Sequence, residues 1–352
     1  MPERANRIRE RRLQRGWTQA ELAQRAGISR TAVTAVEGNR LVPSVNAALA
    51  LAEVLDCRVE ELFGKVTAEA KATVWAWKPH EPTARYWQAE VAGRMVLYPA
   101  DATPMATALP DGMTGAGGAS PPISPIGTET LVIACCDPAA GLLASLYARV
   151  TGLRLLILAR SSQQALDLLK QGLVHLAGLH LATADQPERN ADAVRTKLGP
   201  GFQLLRMARW QEGVAVAPKL RVRSVRAAVR SKLTWIGREV GSGARQCLDR
   251  LLEDRPALRH VAHHHRGVVE AVQSGWGDAG VCVRLCGEEA GLDFLPVQEE
   301  CYDLCCAATF IHDRRFHALL GVVRSAEYRR LMGELPGYNT DETGNLWEVQ
   351  CV

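Results

Sequence analysis

The chain has 352 residues, of which 47% are hydrophobic and 23% charged, an ordinary globular composition that excludes a largely disordered chain. This length allows two or three domains, and a net charge of +4 says little about partners. No apolar run approaches the roughly 20 residues of a membrane helix, and the opening run MPERANRIRERR lacks the apolar core of a signal peptide. We therefore expect a cytoplasmic protein with no membrane partner, in which the ten cysteines are reduced.

Residues 18–40 have the pattern of two short helices joined by a tight turn. Thr18 is a good helix N-cap, and Glu21 lies three residues further on, which is the spacing of a capping box. Gly27 can adopt the positive φ angle that ends a helix, and Ser29 caps a second helix soon after it. A short second helix that begins with polar residues is the element that enters the DNA major groove in a helix-turn-helix.

The polar face of this second helix is predicted to read the DNA. Arg30, Thr31 and Thr34 would reach base edges, while Gln19 and Arg40 would contact phosphates. The full set expected at the DNA is Thr18, Gln19, Ser29, Arg30, Thr31, Thr34, Asn39 and Arg40. Arginines crowd the first predicted helix as well, where cations near the DNA backbone would release counterions. They are Arg4, Arg7, Arg9, Arg11, Arg12 and Arg15.

Residues 6–63 resemble the lambda-repressor/Cro-type (xenobiotic-response-element) family of helix-turn-helix domains. The resemblance is carried by Gln19, Ala23, Gly27, Ser29, Glu37 and Leu51. It implies further helices at residues 44–55 and 59–63, and double-stranded operator DNA as the partner. Because one small head reads few bases, we expect a homodimer whose half-sites lie about 34 Å apart or a multiple of that distance.

Changes in composition along the chain predict a multidomain protein. Residues 1–66 would form the all-α helix-turn-helix head. The β-forming residues of 67–109 indicate a small β-rich connecting segment, with a hairpin or three strands at 72–100. Residues 110–127 contain nine glycines or prolines in eighteen positions, which is typical of a linker. From 128 to 352, strands alternate with helices, which predicts an α/β ligand-sensing domain with a mostly parallel sheet.

The middle of this last domain is predicted to contain several short strands. Two of them would cover residues 202–210 and 213–218, and two more would cover 291–297 and 302–310. Two α/β lobes joined by crossing strands would account for a segment of this length.

The clearest candidate for a ligand site lies at residues 241–245, which read GSGAR between a predicted strand and a predicted helix. Glycines let backbone amides approach a ligand closely, and the helix N-terminus presents a partial positive charge to an anion. Other polar residues lie at strand ends, where α/β folds bind ligands. The predicted ligand-binding residues are Asp137, Ser161, Ser162, His180, Gln211, Ser242, Gly243, Arg245, His265, Asp278 and Tyr302.

Residues 130–345 resemble the periplasmic-binding-protein-like domain that is found fused to molybdate-related regulators and to molybdopterin-biosynthesis proteins. The matching pieces are GLHL (178–181), WQEGV (210–214), GSGARQCLD (241–249), HRGVVEAVQSGWGDAG (265–280), GLDFLPVQEECYDL (291–304) and LPGYNTDETG (335–344). The resemblance implies a two-lobed, class II fold that closes on a small ligand. The chain has Ala244 where the family usually has threonine, and RWQEG where it usually reads REQG. These departures leave the ligand open between a molybdate-like oxyanion and another small molecule.

Together these patterns predict a one-component transcriptional regulator in which a small, anionic effector controls the DNA-binding head. No nucleophile elbow, Walker loop or H-E-x-x-H motif occurs, so we expect neither catalysis nor a cofactor.

Three alternatives stay open. A metal- or thiol-responsive transcription factor would use cysteines and histidines of the C-terminal domain. The candidates are Cys135 and Cys136 at a strand end, Cys282, Cys286, Cys301, Cys305, Cys306 and the run His263–His265. An enzyme would need a catalytic pair in the cleft. An interaction protein would keep the binding fold without its ligand.

Overall fold

The computed structural model describes residues 7–57, 59–63, 73–79, 83–100, 109–114, 125–253, 258 and 260–350. The chain divides into two compact units, residues 1–71 and 72–352. Within the described ranges, no helix has the length and apolar character needed to span a membrane.

The first unit consists of short helices. They are α1 (Ile8–Gln14), α2 (Gln19–Arg25), α3 (Arg30–Glu37), α4 (Val45–Val54) and α5 (Val59–Phe63). Thr18 and Glu21 form the predicted capping box at the start of α2, and Gly27 has a φ of +64° in the turn that follows. The side chain of Ser29 caps α3. The helix-turn-helix predicted from the sequence is confirmed.

One small apolar core holds these helices together. Fully buried side chains come from α1, α2, α3 and α4, among them Ile8, Leu22, Val33 and Leu51. Burial of such side chains is the main source of stability in a helical unit of this size. Because Val33 and Val36 turn one side of α3 toward this core, the opposite side of α3 is left for a partner.

The second unit begins with a small sheet. Its strands are β1 (Thr73–Trp75), β2 (Arg85–Val91), β3 (Arg94–Pro99) and β4 (Gly112–Met113), in the order β1-β3-β2-β4. β1 is parallel to β3, whereas β2 is antiparallel to both of its neighbours. Ala92 and Gly93 form the turn between β2 and β3, and both have a positive φ.

A large mixed sheet forms the body of this unit. Its strands are β5 (Thr130–Cys135), β6 (Arg154–Ala159), β7 (Leu176–Thr183), β8 (Phe202–Val216), β9 (Trp235–Arg238), β10 (His260–Ala262), β11 (Ala279–Val283), β12 (Asp293–Ala307), β13 (Tyr338–Asn339) and β14 (Leu346–Glu348). The order is β10-β9-β11-β8-β12-β7-β5-β6, and both β13 and β14 also pair with β8. Strands within each end of the sheet are parallel, as strand–helix alternation predicts.

Helices pack on the strands of the second unit, and the two ends of the large sheet form two lobes together with their helices. They are α6 (Pro125–Thr128), α7 (Ala140–Thr151), α8 (Ser162–Lys170), α9 (Arg189–Leu198), α10 (Val225–Arg230), α11 (Gly243–Leu252), α12 (His265–Gln273), α13 (Arg284–Glu289), α14 (Arg314–Arg324) and α15 (Ala326–Gly333). We call β5, β6 and β7 with α7, α8, α9 and α14 lobe one. Lobe two consists of β9, β10 and β11 with α10 to α13.

Two long strands connect the lobes. β8 and β12 each contain 15 residues and run antiparallel to one another. The end of β8 pairs with β11 of lobe two, and the end of β12 pairs with β7 of lobe one. Each was expected as two separate strands, but each is continuous. The pairing of β12 with β8 shifts register between Pro296 and Gln298 and again between Tyr302 and Asp303, as at β-bulges, without ending the strand.

The small sheet packs on lobe one and shares its core. Trp87 and Tyr98 lie in the same apolar cluster as Leu156, and Asp111 forms an ion pair with Arg154 at 2.6 Å. The segment expected as a connector, and the start of the expected linker, thus belong to the second unit because their apolar face is buried there. Most of the rest of that linker lies outside the described residues.

Candidate DNA-binding face and ligand site

The outward side of α3 is polar. Arg30 and Thr31 are exposed, and the Ser29 hydroxyl accepts a hydrogen bond from the backbone N–H of Ala32 at 3.0 Å, which fixes the start of the helix. Asn39, with a φ of +56°, and the exposed Arg40 follow the end of α3. The structure therefore places most of the predicted DNA-contacting residues on α3, on its cap and on the turn after it, while Thr18 and Gln19 lie at the start of α2.

A buried hydrogen-bond network holds α2 against α3. Gln19 Nε2 donates to Glu37 Oε2 at 2.8 Å, and Thr34 Oγ1 donates to Gln19 Oε1 at 3.0 Å. Arg12 donates to both oxygens of Glu37, at 2.6 and 3.0 Å. Burial alone would raise the pKa of Glu37, but hydrogen bonds from Arg12 and Gln19 lower it below its usual value. Gln19 and Thr34 are thus oriented by a charged pair beneath them.

Two arginines expected near DNA phosphates have structural roles instead. The side chain of Arg12 is only 9% exposed and is committed to Glu37. Arg15 donates to the backbone oxygens of Val54 and Leu55, at 3.1 and 2.8 Å, and so closes the end of α4. Of the others, Arg4 lies outside the described residues.

Lobe two meets lobe one at the start of α11. Ser242 caps this helix, and a Cβ on Gly243 would lie 2.7 Å from both Nδ1 and the backbone oxygen of His180 in β7. Ser161 caps α8, and the neighbouring Ser162 hydroxyl accepts a hydrogen bond from the His180 N–H at 3.3 Å. Helix N-termini from both lobes therefore converge on His180.

His180 is the hub of a buried polar cluster. Its Nε2 lies 2.9 Å from Cys136 Sγ, and its Nδ1 lies 2.9 Å from Glu300 Oε2. Burial alone would lower the pKa of His180, but interactions with Cys136 and Glu300 outweigh it and raise the pKa well above its usual value. We expect a charged imidazole at neutral pH.

Two glutamates from the crossing strands complete this cluster. Gln298 Nε2 donates to Glu212 Oε2 and to Glu300 Oε1, both at 2.9 Å, and Trp210 Nε1 donates to Glu300 Oε2 at 2.9 Å. Burial and the charge of Glu300 raise the pKa of Glu212 well above its usual value. Although burial opposes it, the neighbouring His180 lowers the pKa of Glu300. The pair thus carries one negative charge, on the carboxylate that faces the imidazole.

Next to this cluster lie buried nitrogens without a hydrogen-bond partner among the described residues. They belong to Arg238, through Nε and Nη1, and to His265, through both ring nitrogens. Arg238 is 0% exposed, its Nη2 donates only weakly to the His263 oxygen at 3.3 Å, and Glu239 is 3.8 Å away. Burial, then the charges of Arg238 and His180, lower the pKa of His265 well below its usual value. Since buried donors normally have partners, these nitrogens indicate where a ligand would bind.

Most of the predicted ligand-binding residues lie in or beside this cluster. They are Ser161, Ser162, His180, Ser242, Gly243 and His265, joined by Tyr302 of β12 and by Asp137, which follows β5. Tyr302 stacks on Trp210 with ring centroids 4.7 Å apart. Asp137 accepts a hydrogen bond from the Tyr338 hydroxyl at 2.7 Å, and burial raises its pKa.

Three other predicted residues have different partners. Arg245 Nε donates to Asp249, at 2.7 and 2.9 Å, one turn along α11. The Gln211 side chain accepts a hydrogen bond from Arg284 at 3.0 Å. Asp278 accepts one from the Thr234 N–H at 2.8 Å, at the amino-terminal end of β9. Ligands bind at the opposite, carboxyl-terminal end of such strands, so the structure does not bring Asp278 to the cluster.

Sequence reasoning singled out Cys136 at a strand end but missed four other residues of the site, which are Trp210, Glu212, Arg238 and Glu300. One local signal was available for Arg238, which is the last residue of its strand and precedes the GSGAR run. Nothing local marked Glu212 or Glu300, because only the pairing of β8 with β12 brings them together.

Three of the cysteines suggested for a metal or thiol sensor lie in the hydrophobic core. Cys282, Cys286 and Cys306 are buried, and burial raises the pKa of Cys286 and of Cys306 to about 12 and that of Cys282 well above its usual value. A neutral thiol is a poor metal ligand and nucleophile, so these three cysteines behave as small core residues.

Comparison with known proteins follows the same division of the chain. A family model described as "PBP superfamily domain" matches residues 143–324, just over half of the chain, and a "Helix-turn-helix" model matches residues 8–62. "Uncharacterized protein YvgK" of Bacillus subtilis (strain 168) is 29% identical over 187 residues, which cover 50% of this chain and 60% of that protein, less than two thirds of its length. An "Uncharacterized HTH-type transcriptional regulator" of Archaeoglobus fulgidus is 40% identical over 57 residues, 16% of this chain and 81% of that protein.

Solved structures with similar folds include two transport proteins. The tungstate ABC transporter from Geobacter sulfurreducens has a TM-score of 0.45 and 14% identity, with 58% of this chain and 98% of that one covered. A putative phosphate ABC transporter substrate-binding protein from Clostridium perfringens, with bound phosphate, has a TM-score of 0.46 and 9% identity, with 59% and 99% covered. The family model that matches just over half of the chain shows that the chain belongs to the PBP superfamily, and the second model shows that it joins this domain to an N-terminal helix-turn-helix of the Cro/lambda-repressor type.

Proposed function

We propose that the chain is a one-component transcriptional regulator whose two-lobed domain closes on a small anion held by Arg238. The single observation that carries the proposal is the pair of unpartnered Arg238 nitrogens in a fully buried site. A buried cation without a carboxylate in hydrogen-bonding range is costly, and an anionic ligand would offset that cost. A molybdate-like oxyanion, with several acceptor oxygens, is the effector class we favour.

The surroundings of Arg238 support an anion over a neutral ligand. The N-termini of α8, α11 and α12 follow the carboxyl ends of β6, β9 and β10 and contribute partial positive charge there. Glu300 is already paired with His180, so its charge does not neutralise Arg238. Closure on the anion would control DNA binding only if the effector binds the DNA-competent and incompetent states with different affinities. We propose that the protein acts as a homodimer on a two-fold operator.

Replacement of Arg238 with methionine should abolish stabilisation by the effector without destabilising the free protein. Methionine fills a similar volume, and Arg238 has only Glu239, at 3.8 Å, as a counter-charge, so its replacement should cost the free protein little stability. The measurement is a thermal-shift screen of the full chain with molybdate, tungstate, sulfate, phosphate and small organic acids. Arg226→Met, an exposed arginine on α10, is the matched control and should keep the full shift. A full shift in Arg238→Met, together with its loss in Arg245→Ala, would move the site to Arg245.

Replacement of Arg30 with alanine should weaken operator binding by about 1–3 kcal/mol and relax the base preference at one position. Arg30 is exposed on the outward side of α3, so the fold should be unaffected. Binding titrations against the operator and against single-base variants measure both effects. Arg7→Ala, at the start of α1, should instead weaken binding to all sequences alike. Unchanged selectivity in Arg30→Ala would exclude α3 as the reading helix.

A further inference from the structure

A second kind of site lies within the buried cluster, and it goes beyond the anion-binding function. Cys136 follows β5, His180 lies in β7, and His265 is the first residue of α12. One ligand atom from each lies within 4.8 Å of the other two, and all three residues are buried. Since they come from distant parts of the chain, no local spacing in the sequence reveals them together.

The separations suit a tetrahedral transition-metal ion. Bond lengths of about 2.3 Å for Zn–S and 2.0–2.1 Å for Zn–N place two ligand atoms about 3.5 Å apart. Here the distance from Cys136 Sγ to His180 Nε2 is 2.9 Å, and no pair of ligand atoms exceeds 4.8 Å. These values bracket the required spacing, so side-chain rotations that move the ligand atoms by about 1 Å would form the site. Soft thiolate with imidazole is the ligand set that Zn²⁺ and Co²⁺ accept.

The contacts around the cluster orient its ligands. His180 Nδ1 is hydrogen-bonded to Glu300 Oε2 at 2.9 Å, which directs Nε2 toward Cys136, as in carboxylate–histidine–metal arrangements. A bound metal ion would replace the proton on His180 Nε2 and the thiol proton of Cys136, and both protons would be released to solvent. Trp210 and Gln298 hold Glu300 in turn. His265 supplies the second observation, because it is 1% exposed and neither ring nitrogen has a partner among the described residues. A metal ion would give this ring one.

We propose that Cys136, His180 and His265 bind one thiophilic divalent metal ion that ties the two lobes together. Cys136 and His180 belong to lobe one and His265 to lobe two, so the ion would hold the closed form. Three protein ligands leave a fourth coordination position open. Arg238, which influences His265 electrostatically, favours an anion in that position. The alternative group of His180, Glu212 and Glu300 is disfavoured because Gln298 and Trp210 already donate to its carboxylates.

The test is a titration of the reduced, chelator-treated full chain with Co²⁺. We expect one equivalent to bind, with thiolate-to-cobalt charge-transfer absorption in the near ultraviolet and the intense visible bands of a tetrahedral site. Zn²⁺ should displace the cobalt. Cys136→Ser should lose the charge-transfer absorption, whereas Cys306→Ser, a buried cysteine in β12 outside the cluster, should retain it.

A second variant guards against misfolding. His265 makes no side-chain hydrogen bond among the described residues, so His265→Leu should fold normally and yet bind Co²⁺ more than about 100-fold more weakly. No cobalt binding to the wild type, or charge transfer that survives in Cys136→Ser, would overturn the proposal. An anion-induced thermal shift of metal-free protein would leave the proposed anion sensing intact in that case. Cobalt binding without any anion-induced thermal shift would support the metal site and contradict the proposed anion sensing.

Discussion

Replacement of Gly243 with alanine is expected to hold the two lobes apart. A Cβ at this position would lie 2.7 Å from His180 Nδ1 and 2.7 Å from its backbone oxygen. Neither atom can move easily, since the ring is bonded to Cys136 and Glu300 and the backbone lies within β7. Gly243 is the first residue of α11 and does not have a positive φ, so alanine fits the backbone itself. The collision between lobes is therefore the dominant effect.

Overpacking of this kind costs about 1–3 kcal/mol, which would weaken closure roughly 5- to 150-fold. In Gly243→Ala, the buried Cys136 should be alkylated faster than in the wild type. The radius of gyration from solution scattering should also be larger, because the lobes are farther apart. Gly141→Ala is the matched control, because its Cβ would meet no atom within 4 Å on α7. Equal alkylation rates in the two variants would show that closure does not depend on contact between Gly243 and His180.

Replacement of Glu37 with glutamine is expected to destabilise the helix-turn-helix unit by roughly 3 kcal/mol at neutral pH. The change keeps the shape of the side chain but leaves Arg12, 9% exposed, without its counter-charge. It also loosens Gln19 and Thr34 on the DNA-binding side. A small unit has little stability to lose, so a roughly 100-fold rise in its unfolded population should be visible.

Hydrogen exchange of peptides from α2 and α3 in the full chain measures this loss. Glu53→Gln, which removes an exposed charge from α4, is the control and should exchange like the wild type. Because the folded-state pKa of Glu37 is lowered, its contribution is present above the unfolded pKa of about 4.3 and is lost as pH falls through the folded value. The difference between wild type and variant should therefore shrink in acid. If the difference in hydrogen exchange between wild type and Glu37→Gln were the same at neutral pH and in acid, the ion pair would not be its cause.

Local signals in the sequence identified the DNA-binding unit well. Capping at Thr18 and Ser29 and the turn at Gly27 depend on residues within a few positions of each other, and the structure forms all three. The ion pair between Arg12 and Glu37 spans 25 residues and could not be predicted in this way. Arg12 therefore seemed to be one more cation for the DNA.

The ligand site depends on long-range pairing, and there the sequence was a weaker guide. Strands were expected at 202–210 and 213–218, but β8 is continuous, and Gly213 allows close packing within it, since a Cβ there would lie 2.3 Å from the Leu295 backbone oxygen. Arg245 appeared free to bind a ligand, although Asp249 lies four residues later, at the spacing of a helical ion pair. The burial of Arg238, which leaves two of its nitrogens without a hydrogen-bond partner among the described residues, results from the packing of the sheet and could not be predicted from local spacing.

The continuity of β8 and β12 bears on how such domains can be recombined. Because each strand begins in one lobe and ends in the other, and because the two pair along their length, neither lobe has a chain segment that could be exchanged alone. A chimaera that took one lobe from a relative would have to keep the register of both β8 and β12 where they pass between the lobes. A slip of one residue in either strand would turn the side chains of that strand to the opposite face of the sheet. Such domains should therefore diversify their ligands by substitution within an inherited whole, while the helix-turn-helix, a separate compact unit, can be replaced freely.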